Sequence, residues 1–119
     1  MSSAYERGDV VFGHDPFNER PAARPWLILS DEYHPFHGEQ YGGVTLTSKS
    51  YHDEFLTIGD EDWIRGGMPA ESAVVPWGIA SPDHEDLDSD RYQGRLTPTY
   101  VDSVGRAATA YLGLDTADP

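Results

Sequence analysis

Helical periodicity is confined to one stretch at the end of this sequence, and that limits what the rest can build. Thr97 suits a helix N-cap, and Pro98 follows at the first helical position, where its missing N–H costs nothing. Leu96 and Val101 stand where a hydrophobic staple closes the first turn. Val101, Val104, Ala108, Tyr111 and Leu112 recur at helical spacing, and Gly113 occupies the position of a C′ glycine. Gly105 in the middle costs about 1 kcal/mol relative to alanine, so close packing of the helix on a sheet is expected there.

Ahead of this helix the pattern is one of short strands. A strand is predicted over 8–13, bracketed by glycines, with a Pro-containing loop after it. The bulky apolar run within 24–30 reads as a strand buried on both faces. Residues 31–43 are polar, aromatic and turn-rich, and predict a long loop. Val44 and Leu46 alternate with Thr45 and Thr47, giving a strand with two unlike faces. Further strands are predicted over 54–58 and 72–75, where Pro76 implies an edge, a bulge or a strand end, with 77–80 as a continuation. Strands followed by one helix make an α+β domain or a small capped barrel. At 119 residues the chain has room for one domain, with disorder expected only before about residue 6 and after about 114.

The charge is unusual. Twenty-one acids face eight basic residues, a formal net charge of −13, and Lys49 is the sole lysine. The acids at 60–62 and 83–90 interleave with Trp63, Leu87 and Tyr92, which predicts solvated faces of a folded domain. Acid excess with lysine scarcity suits a halophilic cytoplasm, where about 1 M salt shortens screening to about 3 Å; an ordinary acidic protein or a nucleic-acid mimic is the alternative. There is no cysteine, so disulfides and thiolate metal sites are excluded. No apolar run nears the roughly 20 residues of a membrane span, and residues 1–7 lack a signal-peptide pattern. The expectation is a cytosolic protein.

Several side chains are candidates for chemistry. Arg24, before Pro25 at the mouth of the apolar strand, offers a planar donor fork suited to phosphate, or pairs with one of many acids. Thr47, Ser48 and Lys49 end the alternating strand, where hydroxyls beside a cation cradle a phosphate or cap a turn. His34, His37 and Glu39, or His52, Asp53 and Glu54, are potential metal ligands, but Pro35 and Gly38 oppose a helix and nothing fixes a geometry; the reading is no metal. His14, His52 and His84 could each move a proton near neutrality. Of the tryptophans, Trp26 is predicted to be core and Trp63 to face a partner, with Trp77 a further platform on which bases could stack.

Taken in order, these pieces resemble the MazF/PemK family of type II toxin–antitoxin endoribonucleases, as an acidic member of haloarchaeal type. The carriers are Arg7-Gly8-Asp9-Val10-Val11 with Asp15-Pro16, then Arg24-Pro25-Trp26-Leu27-Ile28-Leu29-Ser30-Asp31. Val44 to Ser48, Glu71 to Val75, Gly94-Arg95-Leu96-Thr97 and Leu112-Gly113-Leu114 complete the pattern, which covers about residues 7–114. The resemblance implies a mainly β fold, an SH3-like barrel of the MazF/PemK/CcdB type with a C-terminal helix. It further implies a homodimer, a cognate antitoxin, no cofactor, and metal-independent cleavage of single-stranded RNA through a 2′,3′-cyclic phosphate. Carried over by position, Arg24 stabilises the phosphorane charge or protonates the leaving oxygen, Thr47 holds the scissile phosphate, and Ser48 and Lys49 lie beside it. There are departures. The family's Asp-Gln-Ile-Arg-Thr-like segment is replaced by Trp77-Gly78-Ile79-Ala80-Ser81, and the loop after Asp15-Pro16 keeps only Glu19 of the usual pattern. The general base is unassigned, with His14 and Glu19 the nearest candidates. A binding or regulatory module with weakened catalysis is therefore the alternative to the nuclease.

Overall fold

The computed structural model describes residues 3–19, 22–48 and 53–114. Seven strands form one antiparallel sheet in the order β4-β6-β3-β2-β1-β7-β5, curled into a half-barrel and followed by one helix. The strands are β1 (Asp9–His14), β2 (Ala23–Ile28), β3 (Gly43–Thr47), β4 (Leu56–Thr57), β5 (Trp63–Gly66), β6 (Ala73–Ala80) and β7 (Leu87–Leu96); the helix is α1 (Pro98–Tyr111).

Two cores lie on the two faces of the sheet, and β2 serves both. Leu27 joins Val10, Val44, Leu46, Val74 and Leu96 under the inner face of α1, where Val101, Val104 and Ala108 pack. Its neighbours Trp26 and Ile28 point the other way, into a cluster with Tyr5, Val11, Tyr41 and Leu87. This explains the continuous apolar run of β2: each residue has a core to enter, and each full burial of a large apolar side chain stabilises by about 1.5–3 kcal/mol. Trp26 is core, as expected, at 1% exposure. Tyr5 is buried too, its N–H donating to the Tyr41 hydroxyl at 3.0 Å, so the predicted disorder before residue 6 gives way to a docked segment. The disorder expected after Leu114 falls outside the described residues.

The helix begins and ends as the sequence predicts. Thr97 Oγ1 accepts from the Tyr100 N–H at 3.3 Å. At the other end the Leu114 N–H donates to Thr109 O and the Gly113 N–H to Ala110 O, the two bonds of a Schellman cap, with Gly113 at φ +94°. Two expectations fail. A methyl at Gly105 would meet only the Arg7 guanidinium, at 4.0 Å, so this glycine does not seat the helix on the sheet. Tyr111 and Leu112, counted on the apolar face, are exposed because the sheet ends before the last turn does.

β6 runs through Pro76 by means of a bulge. Thr45 pairs with Val75 and Val44 with Ile79, so Pro76, Trp77 and Gly78 have no partners on β3. Proline needs none, having no N–H to satisfy. Gly78 passes so close to Thr45 that a Cβ would lie 2.5 Å from its hydroxyl. The bulge turns Trp77 outward, against Phe55 (5.4 Å between ring centroids) and Tyr111 (5.3 Å). Trp77 is thus the exposed tryptophan, while Trp63, expected at a partner surface, packs partly buried against the larger core.

The strands β5 and β7 have no counterpart in the predicted elements, and the strand predicted over 54–58 shrinks to two residues. β7 pairs with β1 through two register shifts. Each shift breaks the period-two alternation by which a half-buried strand is recognised.

Candidate active site

The end of β2, the turn after β1 and the end of β3 converge on one open groove of about 520 Å³. That volume suits a small ligand or a nucleotide unit. Its wall includes Phe12, Asp15, Arg24, Thr47, Ser48 and Ser72. Antiparallel pairing of β1 with β2 sets Arg24 opposite Gly13, two residues before Asp15. Arg24 Nη2 donates to the carbonyl of Leu46 at 3.2 Å, which ties the guanidinium to the strand that carries Thr47. Nη1 lies 3.7 Å from Asp15 Oδ2. The third nitrogen, Nε, is buried and has no acceptor among the described residues. A buried N–H of a charged group without an acceptor is costly, and an incoming oxygen would relieve that cost.

Asp15 is held by its own turn. Its Oδ1 accepts the Phe17 N–H at 2.9 Å, and its N–H donates to Ala22 O at 3.0 Å. At 8% exposure it is the carboxylate nearest the arginine, whereas the sequence pattern assigns it no role beyond the Asp15-Pro16 signature. The predicted bases lie elsewhere. His14 is exposed and borders a separate pocket of about 200 Å³ with Trp26, Ser81 and Asp86, because strand alternation aims residues 14 and 15 to opposite sides. Glu19 is exposed in the turn and is not among the groove-lining residues. The groove does gather Arg24, Thr47 and Ser48 as expected; Lys49 and His52 lie outside the described residues. Of the histidine loop, His34 Nδ1 accepts the Phe36 N–H and His37 packs edge-on against Tyr41.

A second arginine–aspartate pair closes the far end of β1. Asp9, 3% exposed, accepts from Arg95 Nε (2.8 Å), the Tyr92 hydroxyl (2.7 Å) and the Glu6 N–H (2.7 Å). The hydrogen bond to Asp9 raises the affinity of Arg95 for its proton. Burial, then the Asp9 bond, pushes the Tyr92 hydroxyl above its ordinary value of 10.0.

The molecule is therefore a small β-sheet curled into a half-barrel, with one capping helix and a groove built around an arginine at the mouth of β2. Solved structures of toxin endoribonucleases share this architecture. An endoribonuclease from a mycobacterial species is 25% identical with a TM-score of 0.71, covering 98% of this chain and 97% of the other. A mycobacterial endoribonuclease in complex with its cognate antitoxin gives 24% identity and a TM-score of 0.70, over 96% and 98% of the two chains. The MazE–MazF structure from Deinococcus radiodurans gives 15% identity and a TM-score of 0.72, over 96% and 100%. No family model matches the sequence, and no curated protein is detectably similar to it. The chain has the MazF-like fold that the sequence pattern implied. Among the described residues no helix is long and apolar enough to cross a membrane.

Proposed function

We propose that this protein is a toxin-type endoribonuclease that cleaves single-stranded RNA without a metal, leaving a 2′,3′-cyclic phosphate. The observation that carries the reading is Arg24, whose buried Nε lacks an acceptor at the wall of a groove shared with Thr47 and Ser48. A scissile phosphate there would take the guanidinium on its non-bridging oxygens, where negative charge grows as the pentavalent phosphorane forms. Thr47 and Ser48 would hold the same phosphate. Asp15, rather than His14 or Glu19, is placed to accept the proton of the attacking ribose 2′-hydroxyl. The 2′-oxygen bonds to phosphorus as its proton passes to Asp15, the P–O5′ bond breaks, and the leaving 5′-oxygen takes a proton from solvent water. The endoribonuclease neighbours on the same fold support this assignment. The neighbours solved with an antitoxin support a cognate antitoxin as partner. The exposed strip of Trp77, Tyr111, Leu112 and Leu114 supports a homodimer, which sedimentation of the purified protein tests. The acidic surface suits a salty cytoplasm, where RNA binding leans less on counterion release.

One observation favours the weakened binding module instead. Residues 77–81, standing where the family's acid, amide and arginine are expected, are absent from the groove wall. The deciding experiment assays purified protein on single-stranded RNA with EDTA across salt concentrations and maps the ends produced. Cyclic-phosphate ends from the wild type, lost in Arg24→Ala, are expected. RNA binding without cleavage at every salt concentration would establish the module reading.

A further inference from the structure

The placement of the basic side chains is uneven in a way that the groove explains. Arg7 lies within ion-pair distance of Asp102 (2.9 Å), Arg24 of Asp15 (3.7 Å) and Arg95 of Asp9 (2.8 Å). Arg65 donates to the Tyr92 hydroxyl at 3.3 Å. Arg91 differs. It projects from β7 over the ring of Phe12, its guanidinium carbon 4.0 Å from the ring centroid. Among the described residues it has no carboxylate partner, although Asp88 and Asp90 stand just before it in sequence and the chain holds 21 acids. The Asp88 carboxylate is turned back onto its own strand, accepting the Asp90 N–H at 3.0 Å.

Phe12 is itself a wall of the groove that holds Arg24 and Thr47. Stacking engages the flat face of the guanidinium and leaves its N–H edges available. With the ring face covered by the cation, the pair presents an exposed charge rather than a bare platform for a base. Planar N–H edges match the non-bridging oxygens of a phosphate. Arg91 does not line the groove itself and meets it through Phe12. In a chain with a net charge of −13, an exposed cation beside the groove with no carboxylate partner among the described residues is where a polyanion is best received.

The geometry points to Arg91, held over the Phe12 ring at the rim of the groove, as a second phosphate-binding residue: it receives a backbone phosphate of the same RNA strand whose scissile phosphate Arg24 and Thr47 hold. This rests on the nuclease reading. Arg91 binds substrate and takes no part in the bond-breaking step, so its effect falls on affinity rather than on turnover.

The test measures binding of a 2′-O-methyl RNA oligonucleotide, which cannot be cleaved, by fluorescence anisotropy from about 0.05 to about 0.5 M salt. Wild type, Arg91→Gln, Phe12→Leu and, as a charge control on α1, Arg106→Gln are compared, alongside KM and kcat on cleavable RNA. Arg91→Gln is expected to weaken binding about three- to tenfold at low salt and to flatten the salt dependence of log Kd by about 0.7. KM rises in proportion while kcat stays near wild type. Phe12→Leu shifts in the same direction by less, and Arg106→Gln does neither. A wild type that binds and cleaves, with Arg91→Gln unchanged in affinity and slope, overturns the inference and leaves the nuclease standing. An equal loss in Arg106→Gln, or a fall in kcat at constant KM, also overturns it. A wild type that binds no RNA at any salt concentration removes both readings.

Discussion

An arginine meets an aspartate at each end of β1, and the two pairs differ in how completely they are satisfied. At the start of the strand Asp9 accepts three hydrogen bonds, all within 2.8 Å, from a backbone N–H, a phenol and Arg95. At its end Asp15 accepts a backbone N–H and holds Arg24 only at 3.7 Å, while Arg24 Nε lacks an acceptor. The sequence offers the same residue types in both places. What separates them is how tightly the aspartate is held: Asp9 is fixed by three short bonds, whereas the second pair is long and its Arg24 Nε is completed only when an external oxygen arrives. A closed pair belongs to the fold, and an open pair to the site.

The largest expected effect tests the open pair. Arg24→Ala should lower kcat/KM for RNA by about 10²–10³-fold, the usual loss when one preorganised charge stabiliser is removed. Circular dichroism and thermal unfolding should stay close to wild type, since Arg24 is part-exposed. Loss of folding in this variant would break the comparison by making the open pair structural. Next comes Asp15→Asn, expected to cost about 10²-fold in kcat if Asp15 takes the 2′-hydroxyl proton. Asparagine keeps an oxygen for the Phe17 N–H, so the stability cost should stay at about 1 kcal/mol. Full activity in this variant would return the role of base to another group.

The closed pair gives the reverse pattern. Asp9→Asn removes the charge that Arg95 and Tyr92 converge on, and should destabilise by about 2–3 kcal/mol in urea denaturation. Catalysis in the folded fraction should be unchanged, because Asp9 lies at the far end of the strand from the groove. A fall in kcat without a fall in stability would invert the assignment of the two pairs.

The contrast also shows what the sequence could and could not reveal. The helix was legible because its signals are local: Thr97, Pro98 and Gly113 act within one turn of where they stand. The buried β2 was legible because Trp26, Leu27 and Ile28 fill cores on both faces. Arg24, Thr47 and Ser48 could be brought together only by the family pattern, since their meeting depends on strand pairing. β7 was hidden by the register shifts that erase its alternation, and with it went Arg91. Asp15 was passed over because its neighbour His14 is the more usual base by residue type; only the folded chain shows that Asp15 is the one that meets Arg24. The acids at 60–62 and 83–90 lie exposed or half-buried, as their interleaving with apolar residues predicts, whereas the charge count could not single out Asp9 and Asp15 as buried.

The smallest effect probes the closed pair through Tyr92. Burial first, and the bond to Asp9 second, raise its pKa above 10.0, while Arg65 pulls the other way. A folded-state pKa above the unfolded value favours the neutral phenol. The resulting stability is fully present below about pH 10 and is lost as pH rises through the folded pKa. Tyr5, Tyr41 and Tyr100 are raised by burial as well, so the decline above pH 10 is shared, and the Tyr92 part is the difference between wild type and Tyr92→Phe. Tyrosinate absorbance should then place the Tyr92 ionisation lower in Asp9→Asn than in wild type, because the carboxylate that holds the phenol neutral is gone while Arg65 still favours the phenolate. An unmoved ionisation would mean that Asp9 exerts no hold on the phenol. The tight hold that distinguishes the two ends of β1 would then have to be found in Arg95 alone.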